Sequence, residues 1–361
     1  MNPPRNILMI QAYSAGIGDL LRSSAGWRAL HNQFPGARLH LWFLTKEPGY
    51  PSEQLMARHP LLASFHVSDK RTKSWRDWQR LLREAKAVAQ QTQPDLILDF
   101  EPNGLRTPLL TFCLARWTHA ASVGIAKVPL RRLFYRRSAP GPKKYAAARG
   151  KTLPLEFCER DFVLLAALGI ERAGTPIELS ETEEGRAFRE TLTRELGEGP
   201  PLLGVNLGCG TADAGDRRPD LDLVAQVIQT LHQRHGFRVV LTGAPFEREI
   251  NRQLRQKLPA SLPVVDLAGR TSLLQSVGAI RACRLFLSSD SGPYHLSVAQ
   301  RVPTLALFNY DHPVAYHPHD WVRCVVAPDA THAAEVVRAA ESLLAGQPQE
   351  NSGPDRLLEQ P

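Results

Sequence analysis

The sequence predicts an α/β protein made of two Rossmann-like, doubly wound domains. Short apolar runs alternate with longer amphipathic segments along the whole chain, the pattern of parallel strands covered by helices. The scheme occurs twice, on either side of residues 169–201, where Gly174, Pro176, Pro200 and Pro201 surround a charged helical stretch and read as a link. Three apolar runs end in glycine-bearing loops, and open α/β sheets bind ligands outside the carboxyl ends of their strands. The expected division is 1–175 for an N-terminal domain and 176–345 for a C-terminal one, with a polar, proline-bearing tail at 346–361 that reads as disordered.

In the first half, strands are expected at 6–13, 38–44, 64–68, 95–100 and 122–126, each a short run rich in Val, Ile, Leu and Phe. Helices fill the gaps at 19–34, 75–91, 105–117 and 156–168. The second half places strands at 202–207, 238–241, 264–267, 284–287, 304–308 and 322–326, separated by helices at 222–234, 246–258, 272–282 and 293–300. With 361 residues, 43% of them hydrophobic and 22% charged, the chain can bury two cores of ordinary size.

Composition excludes several classes. No window approaches 18 uninterrupted apolar residues, and the N-terminal run lacks a signal-cleavage pattern, so a cytoplasmic protein is expected. Five cysteines (Cys113, Cys158, Cys209, Cys283, Cys324) without Cys-x-x-Cys spacing indicate neither a disulfide framework nor a zinc site, and no metal cluster is evident. The net charge of +8 is concentrated: Lys127, Arg131, Arg132, Arg136, Arg137, Lys143, Lys144, Arg149 and Lys151 occur with no acid among them. Such a segment is either a solvated basic loop or a surface for a polyanion, and Leu130, Leu133, Phe134 and Tyr135 beside it suit peripheral contact with a membrane. No nucleic-acid-binding motif accompanies the charge.

The chemistry concentrates at the three glycine-bearing exits. After the strand ending at Leu287, Asp290-Ser291-Gly292-Pro293-Tyr294-His295 sets a cap, a close-approach glycine, a first-turn proline and a histidine at a helix start. Backbone amides and the dipole there suit a phosphate, and His295 adds a donor. The other exits are Gly208-Cys209-Gly210-Thr211, where Thr211 is a further phosphate contact, and Ala15-Gly16-Ile17-Gly18-Asp19. From position alone, Asp19 and Glu247 both fit first-turn acids held by a helix dipole.

In this order the segments resemble glycosyltransferase family nine, the ADP-heptose:lipopolysaccharide heptosyltransferases. The similarity runs from Ala15-Gly16-Ile17-Gly18-Asp19 and Phe34-Pro35-Gly36-Ala37 through Leu241-Thr242-Gly243-Ala244-Pro245-Phe246-Glu247 and the stretch 266–273 to Asp290-Ser291-Gly292-Pro293-Tyr294-His295. The resemblance implies GT-B architecture, two Rossmann-like domains facing across a cleft, and an inverting, metal-independent glycosyltransferase without a cofactor. By that resemblance Asp19 is the general base. The donor, a nucleoside diphosphate sugar such as ADP-heptose, is held by Thr211, Arg217, Arg218, Glu247, Asp290, Ser291, Gly292 and His295. Glu247 takes the ribose hydroxyls. The acceptor, an anionic glycolipid of lipopolysaccharide type at the inner face of the membrane, meets Arg131, Arg132, Arg136 and Arg137.

One departure stands out. The family's Lys-x-Trp-Pro pattern aligns with Asp216-Arg217-Arg218-Pro219, so an acid takes the place of the lysine that neutralises the diphosphate, and Arg217 or Arg218 is left to supply the charge. That departure keeps a catalytically silent sugar-nucleotide-binding relative open as an alternative, beside a sugar-nucleotide epimerase of the same fold. A dinucleotide-dependent oxidoreductase fits poorly: Leu21 stands where the fingerprint wants Gly or Ala, and the second strand ends in Leu44-Thr45-Lys46 rather than an acid.

Overall fold

Strands form where the apolar runs stand, and they assemble into two sheets. A computed structural model describes residues 3–208 and 217–346, divided into two compact units, Met1–Ile177 and Glu178–Pro361. The tail expected at 346–361 lies, from residue 347 on, outside the described residues.

The first unit holds β1 (Asn6–Gln11), β2 (Arg38–Thr45), β3 (Leu62–Asp69), β4 (Leu96–Asp99), β5 (Ala121–Ala126) and β6 (Arg137–Pro140), all parallel, in the order β3-β2-β1-β4-β5-β6. The second holds β7 (Leu202–Asn206), β8 (Arg238–Leu241), β9 (Val264–Asp266), β10 (Leu285–Ser288), β11 (Thr304–Phe308) and β12 (Val322–Val326) in the order β12-β11-β10-β7-β8-β9. Counted within each unit this is the same doubly wound order, so the strand sequence reverses between β1 and β4 and again between β7 and β10. Helices on both faces explain why β1, β4, β7, β10 and β11 are near-continuous apolar runs: Ile7 to Ile10, for example, are all fully buried.

The structure differs from the sequence expectation most in four places, besides the short unexpected helices Glu53–Met56 and Pro142–Ala148 and a helix that starts at Glu159 where 156 was expected. The first helix is broken into Ile17–Leu21 and Ser24–Gln33, because Ser24 Oγ donates to the Leu21 carbonyl at 2.6 Å and the chain turns at Arg22 and Ser23. β6 lies in the basic segment read as a loop; it pairs only with β5, and an edge tolerates its Pro140. Helix Ala333–Ala345 was not expected, yet it lays Val336, Val337, Ala340 and Leu343 into the core of the second unit. Helix Glu183–Leu196, read as part of a link, instead packs within the second unit against helix Leu273–Arg281.

That last contact is made backbone to backbone. A Cβ on Gly278 would stand 2.0 Å from the Gly185 carbonyl oxygen, so the helices can meet only because both positions lack side chains. Gly278→Ala is therefore expected to cost about 1–3 kcal/mol through forced separation of the helices. Gly36→Ala, with nothing within 4 Å of the added methyl, should be near neutral. Urea melts of the two variants check the contrast.

Candidate functional site

Each strand-order reversal opens a crevice at the carboxyl ends of its two central strands, and the two crevices carry different chemistry. In the first unit the loop after β1 is held from outside: Ser52 Oγ donates to the Ala15 carbonyl at 2.5 Å, and Lys70 Nζ donates to the carbonyls of Ala12 and Tyr13 at 3.1 Å each. The loop leads into helix Ile17–Leu21 with Asp19 in its first turn. Arg22, one turn further, places Nη1 3.7 Å from Asp19 Oδ1 while its guanidinium lies 3.6 Å from the centre of the Phe157 ring. The Asp19 side chain is 32% exposed and that of Arg22 only 8%. A partly exposed carboxylate thus sits beside a cation that an aromatic face holds in place.

Beneath this loop lies a buried polar cluster. Tyr13 Oη donates to Asp161 Oδ1 at 2.9 Å, Gln11 Nε2 to Oδ2 at 3.3 Å, and Ser23 also bonds the carboxyl. Burial pushes the Asp161 carboxyl up to about 6, against the lowering effect of those hydrogen bonds. Gln11 Oε1 is buried without a partner among the described residues.

On the other side of the reversal, β4 ends in Asp99, and Arg131 organises the loop beyond it. Its Nε donates to the Ile125 carbonyl at 2.8 Å, and its two terminal nitrogens donate to the carbonyls of Gly104 and Glu101, clasping the loop after β4. Nη2 also donates to Tyr135 Oη at 3.0 Å, which donates to Asp99 Oδ2 at 2.6 Å. Burial pushes Asp99 up to about 6 in spite of the Tyr135 hydrogen bond and the Arg131 charge. The Tyr135 ring fits only because residue 124 is glycine: a Cβ there would lie 2.2 Å from it.

This corrects the expectation for Arg131. It is 1% exposed and spends its donors on carbonyls and a tyrosine, so it shapes the crevice and presents nothing to an acceptor, whereas Arg132, Arg136 and Arg137 are exposed. Tyr135, expected at the surface, is likewise turned inward.

In the second unit the crevice lies between β7 and β10. Ser289 N donates to the Asn206 carbonyl at 3.1 Å, Ser289 Oγ donates to the Gly208 carbonyl, and Ser291 Oγ donates to Asn206 Oδ1 at 3.1 Å. Ser291 occupies the cap position of helix Gly292–Ala299, with Pro293 in the first turn, but its side chain makes no capping bond because Asn206 holds it. The Ser291 side chain therefore leaves the first amides of this helix uncapped. Asp290, 6% exposed, has Oδ2 3.1 Å from His312 Nδ1. His295 is buried and its Nδ1 lies 2.9 Å from His317 Nε2, so that nitrogen is committed to the protein.

Glu247 is 5% exposed. Its Oε2 accepts from Ala244 N at 2.7 Å, and Oε1 takes the space beside Gly208, where a Cβ would come within 1.3 Å. Thr211 and Asp216 lie outside the described residues. Of the two arginines after them, Arg217 is exposed, while Arg218 is half-buried at the carboxyl end of β11, where Asn309 Nδ2 donates to its carbonyl. Arg218 Nε is buried with no partner among the described residues. Sequence reasoning missed Arg22, Lys70, Asp99, Asp161 and the His295–His317 pair. Only Arg22, one helical turn from Asp19, was within reach of pattern alone.

Residues 91–343 match a family model described as glycosyltransferase family 9 (heptosyltransferase). The chain is 32% identical over 320 residues to lipopolysaccharide heptosyltransferase 3 of Escherichia coli, covering 86% of this chain and 84% of that one. A shorter match, 31% identical over 105 residues, covers 28% of this chain and 29% of lipopolysaccharide core heptosyltransferase OpsX of Haemophilus influenzae. In structure the chain is similar to a glycosyl transferase family 9 protein of Veillonella parvula, with a TM-score of 0.73 at 18% identity over 96% of this chain and 99% of that one. The UDP-GlcNAc 2-epimerase of Methanocaldococcus jannaschii also shares the fold, with a TM-score of 0.54 at 12% identity over 95% and 94% of the two chains.

The Asp161 cluster has a pH consequence. Its carboxyl holds a proton up to about pH 6 when folded but only to about 4 when unfolded, so folding takes up a proton in that window and stability falls as pH rises through it. Asp161→Asn keeps the Tyr13 bond and offers an N–H to Gln11 Oε1. Above pH 6 the variant should be the more stable protein, by up to about 3 kcal/mol, and the advantage should vanish near pH 4. Denaturant titrations across this range measure the difference; a constant offset would remove Asp161 as its source.

Proposed function

The chain belongs to glycosyltransferase family 9, and from that premise we propose that it moves a heptose or related sugar from a nucleoside diphosphate sugar, ADP-heptose by resemblance, to an anionic lipopolysaccharide-type acceptor with inversion. The observation that carries the reading is Asp19, a partly exposed carboxylate at the strand-order reversal of the first unit with the fixed Arg22 guanidinium 3.7 Å away. Asp19 accepts the proton of the acceptor hydroxyl as its oxygen attacks the anomeric carbon. The bond from that carbon to the diphosphate breaks, and the electron pair leaves with the diphosphate.

The departing charge needs fixed donors. The amino end of helix Gly292–Ala299, with the amides of Ser291 and Gly292, supplies a partial positive charge. Arg218, with its buried Nε, takes the place of the family's lysine, and Glu247 Oε1 accepts from the ribose. Side chains and a helix end thus provide the charge that a divalent metal provides elsewhere, and no cofactor enters. No helix among the described residues is long and apolar enough to cross a membrane. We place the protein in the cytoplasm, reaching its acceptor at the inner face of the membrane. The family match favours transfer over the epimerase reading, since the epimerase likeness is one of fold alone.

Asp19→Asn should lower turnover by roughly 10²-fold to 10⁴-fold with donor affinity unchanged, in an assay of ADP release that requires acceptor. Undiminished turnover removes Asp19 from the mechanism, and ADP release without acceptor removes the transferase reading. On the donor side, Arg218→Ala should weaken nucleoside diphosphate binding by about 1.5–3 kcal/mol in calorimetry while Arg217→Ala changes it little, and chelators should leave the rate unaltered. Loss of activity with EDTA that magnesium restores would contradict the metal-free chemistry.

A further inference from the structure

Helix Arg106–Thr118 breaks the usual rule for a surface helix. Its inward face buries Leu110 and Leu114, yet its outward stripe carries Leu105, Leu109 and Phe112, exposed by 40%, 38% and 50%. The same surface continues onto the 3-10 turn Pro129–Phe134, because the Phe112 and Phe134 rings meet edge to face with centroids 6.3 Å apart. On that turn Leu130 and Leu133, three residues apart and so on one face, are 51% and 75% exposed. Of the thirteen exposed large apolar side chains among the described residues, seven fall between Leu105 and Leu133, so the clustering is not the scatter expected of an ordinary surface.

Charge selects the occupant. From residue 102 to residue 155 the chain has eleven Lys and Arg and no Asp or Glu, a run far longer than the basic segment alone. Arg116 lies on the outward side of the same helix, and Lys127, Arg132 and Arg136 are exposed around the turn. Arg131 is excluded from this set by its burial. Exposed leucines and a phenylalanine ringed by cations without acids match the boundary of a bilayer with anionic headgroups, where apolar side chains enter the acyl edge and long cations reach phosphates.

We propose that helix Arg106–Thr118 and the turn Pro129–Phe134 form a membrane-docking face that seats the first unit on an anionic lipid surface. This deepens the functional reading, since it names the surface that brings the Asp19 unit to a membrane-held acceptor, but it does not depend on the sugar transferred. The face is preformed. Docking needs no ordering of a new segment, only burial of side chains already exposed.

The test is co-sedimentation of the full chain with vesicles of phosphatidylethanolamine and phosphatidylglycerol, against phosphatidylcholine alone. Wild type should pellet with the anionic vesicles, less so as salt rises, and poorly with phosphatidylcholine. Leu130→Ser with Leu133→Ser, and separately Arg116→Gln with Arg132→Gln, should each lower the bound fraction at least about tenfold. Thermal melts and nucleoside diphosphate affinity should stay as in wild type, since these side chains are exposed. Equal pelleting of wild type and both variants overturns the proposal, as does failure of wild type to bind anionic vesicles. A dimer in sedimentation velocity that these substitutions dissolve would also overturn it, by giving the face to a second copy of the chain. Vesicle binding without heptosyl transfer would sink the functional reading and leave the docking face standing.

Discussion

The structure depends on the reversal of strand order beside the first strand of each unit. Parallel strands need long crossovers, and wherever successive crossovers leave in opposite directions the loops at the carboxyl ends part and open a crevice. Between β1 and β4 the crevice receives the loop with Asp19; between β7 and β10 it receives Gly208 and the start of helix Gly292–Ala299. None of the three loops at these rims, the one after β4 included, could hold its shape alone, because each is polar and lies at the edge of a core. Buried or half-buried side chains therefore fix them: Lys70 and Ser52 on the first, Arg131 on the loop after β4, and Ser289 with Asn206 on the third.

Much of this was legible in the sequence, for a physical reason. Central strands buried on both faces must be apolar without interruption, and of the twelve strands among the described residues eleven stand where an apolar run marks them. The twelfth, β6, is a sheet edge like β3, β9 and β12, but Arg137-Ser138-Ala139-Pro140 carries no apolar run that distinguishes it from a loop. The glycine-bearing exits were legible because close approach demands glycine. The partners of the site residues were not. Tyr13 and Asp161, or His295 and His317, lie far apart in sequence, and only the packed fold brings their polar atoms together.

Arg131 and Arg132 show how composition misleads. Adjacent in a run of cations, they read alike, yet the 3-10 turn points one inward and the other outward. Arg131 exchanges water for three carbonyls, a tyrosine hydroxyl and the nearby charge of Asp99, which together replace the solvation lost on burial. A basic segment is then two things at once: an internal clasp for the loop after β4, and an outer field that removal of the clasp would misshape.

The proposed donor side poses the reverse problem, a charge that the resemblance places at the position of Asp216 and the proposal places at Arg218. Moving a cation from Asp216's position to Arg218 is tolerable only if the rest of the anion site is already positive without it. In that proposal the amino end of helix Gly292–Ala299 supplies the charge: a serine at its cap would ordinarily satisfy the first amides, but Asn206, at the end of β7, draws Ser291 Oγ aside. The residue that holds the cap away belongs to a central strand of the second sheet, so the uncapped helix end is set by the fold. In the proposed donor site Asp216 removes the lysine's charge and Arg218 returns one cation at the tryptophan's position, so the helix end has more of the charge to carry, while a planar fork can reach two phosphoryl oxygens where an ammonium meets them as a point.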